Sequence, residues 1–316
     1  MNKKVIHWIK ASIIVLGWSL TPVIGDYLVD QTSQVSAFQL AFFRYFIAAL
    51  SIYIILMFQK DVSNKAILQS FKSKWKQYLL ISIPCALMPV LLFLAVESTT
   101  ASTASFLLNS NIILIPIIAY FFLKEKITKR YFIGLILALI GVFFVLFDEN
   151  LLDLANLSLG SVGGNLLALG SGLGWALYTV FLKKFFSNEN PLLVTFVSLL
   201  MGSFYLVFLA FLVPPISMSV NLLGIFLILV IAVLATTLAY SLWLDILSYL
   251  STTETGIIQA LVPIFSVLWS IAFLGEAETV TGFFGIGAIL IIVSIILVQS
   301  KQKEPVSSDE SSNIES

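Results

Sequence analysis

The chain has 316 residues, 59% of them hydrophobic and 11% charged, with basic and acidic side chains in balance and a mean hydropathy of +1.03. A soluble domain is about half apolar and about a quarter charged, so this composition excludes a soluble globule and points to an all-α membrane protein. The single cysteine, Cys85, excludes an intrachain disulfide, and the single histidine, His7, excludes a histidine-cluster metal site.

The first apolar run, 9–28, follows Lys3, Lys4 and Lys10. A basic head before an apolar run is also the layout of a signal peptide. No small-residue cleavage site follows it, however, and nine further runs do, so it reads as a first transmembrane helix. The further runs are 37–58, 78–96, 101–123, 131–147, 160–182, 192–213, 222–247, 253–274 and 280–298. Most approach the roughly 20 residues that a helix needs to cross a bilayer. The polar stretch 148–159 divides five helices from five, and 299–316 reads as a disordered cytoplasmic tail. The expected domains are therefore a five-helix unit over 9–147, an extracytoplasmic linker over 148–159 and a second five-helix unit over 160–298.

Basic residues orient these helices. With the N-terminus in the cytoplasm, sixteen of the seventeen Lys and Arg residues fall in cytoplasmic segments and none in the outside loops. The remaining one, Arg44, lies within the second helix. Both termini are expected to be cytoplasmic, in a multi-pass protein of a bacterial cytoplasmic (inner) membrane.

The two units repeat. Shifting the first by 151 residues sets Phe122, Leu123, Glu125, Thr128, Phe132 and Gly134 on Phe273, Leu274, Glu276, Thr279, Phe283 and Gly285. Five helices per unit is an odd number, so the second unit must enter the membrane from the opposite side. Glu125 sits among Lys124, Lys126, Lys129 and Arg130, as a cytoplasmic turn should, whereas Glu276 has Glu278 beside it and no basic neighbour. Inverted repeats of this kind place a substrate site between the units near the midplane.

Several segments together resemble the EamA-type branch of the drug/metabolite transporter superfamily. They are Arg44 to Leu50, Phe122-Leu123-Lys124-Glu125, Gly174 to Tyr178, Leu238 to Trp243, and Leu261-Val262-Pro263 leading to Phe273-Leu274-Gly275-Glu276. The resemblance covers the chain to about residue 298. It implies ten helices around a central cavity and movement of small organic solutes by alternating access, often outward. One departure is Ile112 where the second half has Pro263; Pro116 follows one turn later, so the bend in the fourth helix is expected to shift.

Gly17-Trp18 and Gly174-Trp175 repeat one dipeptide near the middle of equivalent helices. Tryptophan prefers the membrane interface. At mid-depth it reads either as a flat cavity wall, joined by Tyr178, or as helix packing. Asn109, Asn111 and Gln259 are amides at depth, which need a partner helix or a wet cavity. Tyr240 shares the eighth helix with Thr236 and Thr237, whose hydroxyls could serve local carbonyls. Trp18, Asn109, Asn111, Trp175, Tyr178, Tyr240 and Gln259 are thus the candidate cavity residues.

Arg44 is an intramembrane charge, with Asp26 and Glu97 as candidate counter-ions. The resemblance places it in the fold rather than in the cavity, which favours a structural or gating role over direct anion binding. Glu254, at the cytoplasmic start of the ninth helix, is the second structural or gating charge considered. With no titratable group at the midplane, exchange, facilitated flow or coupling through Glu254 is expected rather than a buried proton relay.

An intramembrane enzyme would need clustered His, metal ligands or paired acids at depth. A receptor would need a sensor motif. Neither is present, so the expected function is secondary transport of a small organic metabolite: export of an amino acid or related compound, the alternative being uptake of a metabolite or nucleotide-like solute. No cofactor or metal is implied. The expected partners are the solute and the lipid bilayer, with no nucleic acid and with homodimerisation left open.

Overall fold

The structure, a computed structural model, describes residues 3–59, 62–124, 129–147, 159–212, 218–246, 252–275 and 282–299. All regular structure among them is helical. Helix α1 (Lys3–Asp26) continues into a π-helical turn, Tyr27–Gln31, and is followed by α2 (Ala37–Met57) and α3 (Asn64–Ala95). Next come α4 (Ala101–Asn109), α5 (Asn111–Leu123) and α6 (Lys129–Phe147). The second half holds α7 (Leu159–Phe186), α8 (Pro191–Leu212), α9 (Leu222–Leu229), a π-helical segment Val230–Leu238, α10 (Ala239–Ile246), α11 (Thr252–Leu274) and α12 (Gly282–Gln299). Apart from Leu159 and Gln299, the expected linker and tail lie outside the described residues, as do Glu125 and Glu276.

Among the described residues, seven stretches are long and apolar enough to cross a membrane, and Tyr131–Val145, Leu261–Leu274 and Gly282–Leu297 are shorter apolar helices. Polarity is distributed as hydrocarbon requires. Phe121, Phe226 and Ile289 are exposed on the outside, whereas Asp26, Gln39, Arg44 and Asn109 are buried.

Side-chain caps set several starts. Ser36 accepts from Gln39 N while the Gln39 side chain accepts from Ser36 N, a reciprocal box at the head of α2. Ser63 caps α3, which therefore begins well before the apolar run expected at 78, with a non-helical break at Lys74. The fourth expected helix is interrupted at Ser110, upstream of Pro116, and becomes α4 and α5. The eighth is likewise divided by its π-helical segment.

The helices pair in matched sets. α2 lies along α8 and α6 along α12; α3 packs on α7 as α1 packs on the π-helical segment and α10; and α4 and α5 pack on α7 as α11 packs on α1. Exchanging the first five expected helices with the second five leaves this pattern unchanged.

Proline leaves specific marks on α3. Pro89 has no N–H, so the Cys85 carbonyl one turn back loses its helical donor. The Tyr45 hydroxyl, fully buried, donates to that carbonyl at 2.9 Å. Tyr45→Phe should therefore strand a buried carbonyl and cost about 1–3 kcal/mol. Thermal unfolding in detergent should show a lowered midpoint, and an unchanged midpoint would contradict this.

Candidate functional site

Two glycines bring the walls of an internal cavity together. A Cβ on Gly17 would lie 3.2 Å from Ala235 Cα and from Leu234 O, so a side chain there would push α1 a few tenths of an ångström from the π-helical segment. On Gly174 it would lie 3.1 Å from Pro84 O, the equivalent close approach of α7 to α3. Each glycine thereby fixes the tryptophan that follows it in sequence.

Trp18 and Trp175 meet edge to face, with ring centroids 6.4 Å apart. Tyr240 lies 6.3 Å from Trp18 and 5.4 Å from Trp175, and Trp243 lies 5.3 Å from Trp18. Trp18, Trp175 and Tyr240 border a cavity whose empty space, its open mouth included, is about 650 Å³. Its wall includes Trp18, Arg44, Asn109, Asn111, Trp175, Tyr240 and Gln259, with contributions from Met88, Ser105 and Val262. Tyr178 stands behind this wall, 5.9 Å from the Trp175 ring, and is buried.

The amides of α4 and α5 are held locally. Asn109 Nδ2 donates to Ser105 O within α4, and Asn111 Nδ2 reaches back across the break at Ser110 to Leu108 O, both at 2.8 Å, so both bonds stay within the fourth expected helix. Thr237 shares its one hydroxyl proton between Ala232 O and Ala48 O, at 3.2 and 3.3 Å, and Thr236 donates to Ile231 O at 2.9 Å.

Arg44 requires a correction to its expected place. It lines the cavity, only 3% exposed, and its Nε donates to Thr236 Oγ1 at 2.9 Å. Among the described residues, no ion pair joins it to Asp26 or Glu97. Buried Asp26 accepts from Gln31 Nε2 at 2.9 Å. Glu97, on the turn after α3, has its carboxyl held above the usual range, first by partial burial and second by the nearby Asp30. A guanidinium beside it would have the opposite effect. The side chain of Glu254 lies outside the described residues.

The raised Glu97 carboxyl has a pH consequence. The folded state holds this proton more tightly than the unfolded chain, so stability falls as pH rises from the ordinary carboxyl value through the raised one. Glu97→Gln should flatten that slope and raise the unfolding midpoint at pH 7, which midpoints measured against pH would check.

Sequence reasoning did not single out Thr21, Met88, Ser105 or Leu108, which line the cavity. Apolar and small hydroxyl residues are too common in such helices to stand out. Their place on the cavity wall with the tryptophans is a property of the packing.

Comparisons with known proteins agree with this architecture. The model of the EamA-like transporter family matches residues 7–147 and 162–299. The uncharacterized transporter YyaM of Bacillus subtilis (strain 168) is 26% identical, over 90% of this chain and 92% of its own length. An uncharacterized transporter of Archaeoglobus fulgidus is 23% identical, over 86% of this chain and 90% of its own. One solved crystal structure shares the fold, with a TM-score of 0.64 at 17% identity, covering 93% of this chain and 97% of that one. The chain belongs to the EamA-like transporter family, with two tandem family segments.

Proposed function

We propose that this protein is a secondary transporter that moves a small organic metabolite, an amino acid or related compound, out of the cell by alternating access. The observation that carries the reading is a cavity walled by both family segments: Trp18, Arg44 and Asn109 come from the first, and Trp175, Tyr240 and Gln259 from the second. A site shared in this way opens to one side or the other when the halves rock, with no chemical step required.

The wall is aromatic and amide-bearing, and Arg44 is its one basic residue among the described residues. That suits a small solute with a flat or apolar body better than a multiply charged phosphate, which calls for several cations. The outward direction rests on the family resemblance. In this reading the seven long spans and three shorter apolar helices make ten crossings. The two units are inverted repeats with cytoplasmic termini, supported by the matched helix pairing and by the placement of basic residues.

The test is counterflow with the purified full-length protein in sealed vesicles, using labelled amino acids, vitamins, nucleosides and polyamines. Saturable exchange above protein-free vesicles is expected for an amino acid or close relative. Exchange confined to nucleotide-like solutes would replace the substrate class, and no exchange with any solute would overturn the transporter reading. Substrate preloaded inside or outside vesicles of known orientation reports the direction.

A further inference from the structure

We infer that Arg44 is the anchor for a carboxylate on the transported solute, an inference that rests on the transporter reading of the cavity. A guanidinium keeps its charge at any physiological pH, and an isolated buried charge is among the costliest features a fold can carry. Arg44 is 3% exposed, and no carboxylate among the described residues forms an ion pair with it. Its Nε donates to Thr236 Oγ1, but Nη1 is buried with no hydrogen-bond partner. The rings of Tyr45 and Phe93 lie 5.9 and 6.0 Å from the guanidinium carbon, near the outer limit of a useful cation–π contact.

The geometry around this charge is built rather than accidental. The Thr236 hydroxyl gives its proton to Ile231 O, a bond permitted by the π-helical register, and so presents a lone pair to Arg44 Nε. One edge of the guanidinium is thereby held while Nη1 is left without an acceptor. A purely structural arginine would be expected to spend its donors on carbonyls or carboxylates of neighbouring helices.

A second donor on the same cavity wall, Trp18 Nε1, is also buried without a hydrogen-bond partner. Both groups call for an acceptor, and Arg44 calls for a negative charge. One carboxylate supplies the charge and two acceptor oxygens. A phosphate dianion would leave one negative charge uncompensated in a cavity with one basic residue among the described residues. The Trp175 and Tyr240 rings, 5.4 Å apart, offer the solute's body a flat surface. The solute class is therefore a monocarboxylate or zwitterion with a planar or apolar body.

The experiment compares matched probes on the detergent-purified full-length protein by thermal unfolding: phenylalanine and tryptophan, their carboxamides, the amines lacking the carboxyl group, and 3-phenylpropionate. The expected result is stabilisation by carboxylate-bearing probes and none by their amides or amines. Arg44→Gln should weaken carboxylate binding roughly thirtyfold or more, and Arg44→Lys should restore part of it. Thr236→Val keeps the charge but frees the guanidinium edge, so it should weaken binding severalfold while preserving the preference for acid over amide. If Arg44→Gln does not fold, the wild-type comparison and Thr236→Val carry the test.

Equal stabilisation by acids and amides, undiminished acid binding by Arg44→Gln, or no stabilisation by any carboxylate would overturn the inference. Vesicle flux of the same probes separates this from the transporter reading. Acids and amides crossing equally would remove the anchor but leave transport standing. Acid-selective binding without flux of any solute would keep the anchor and remove transport.

Discussion

Replacing Gly141 with leucine should abolish stable folding, and Gly287→Leu should do the same. These glycines sit where α6 crosses α12, and each side chain would meet the other helix's backbone. A Cβ on Gly141 would lie 2.8 Å from Gly287 O and 3.0 Å from Ile291 N; one on Gly287 would lie 2.7 Å from Gly141 O. Backbone atoms inside a helix cannot step aside as a flexible side chain can. The helices would have to separate along their length, and this is among the most extensive helix pairs in the fold. In a membrane, where no hydrophobic drive presses helices together, such close approach supplies much of the association. Overpacking by a few methylenes costs about 1–3 kcal/mol, and a whole leucine against backbone should exceed that range. Gly285→Ala is the control: its Cβ meets nothing within 4 Å, so it should leave the midpoint unchanged or raise it slightly. A Gly141→Leu protein unfolding within a degree or two of wild type would contradict this view of the seam.

Trp18→Ala and Trp175→Ala should each reduce solute flux by at least about tenfold, corresponding to about 1.4 kcal/mol or more of lost binding. Both rings are half-buried and face the cavity, so the loss should appear in transport and binding before stability. Full burial would have implied a core truncation of about 3–5 kcal/mol. The mirrored positions predict similar penalties for the two variants. Flux within twofold of wild type in both would show that the aromatic wall is packing rather than a binding surface.

These expectations trace to features of unequal visibility in the sequence. The Gly-Trp repeats were legible because tryptophan at mid-depth is unusual and its recurrence in equivalent helices is more so. Structure added the reason for the glycine, which is the close approach of α1 to the π-helical segment and of α7 to α3. The helix starts at Ala37 and Asn64 follow from Ser36 and Ser63, but hydropathy follows apolar stretches and so set the beginning of α3 too late. The breaks at Ser110 and Val230–Leu238 were not legible, because apolar periodicity is similar for α- and π-helical turns over a few residues. Arg44 is the sharpest case. Its charge was obvious, but its place depends on Thr236, 192 residues away, and no local pattern relates the two. The resemblance assigned it to the frame, and the packing sets it at the cavity wall.

Alternating access through the cavity between the halves is tested most directly by labelling one cavity position from each side of the membrane. Gln259 is half-buried on the wall, and replacing Cys85, the only native cysteine, with alanine keeps the backbone carbonyl that accepts from Tyr45. In sealed vesicles of known orientation, Gln259→Cys on the Cys85→Ala background should react with a membrane-impermeant maleimide added to either side. A transported solute should slow both reactions. Reaction from one side only, at a rate that solute does not change, would contradict alternating access at this site.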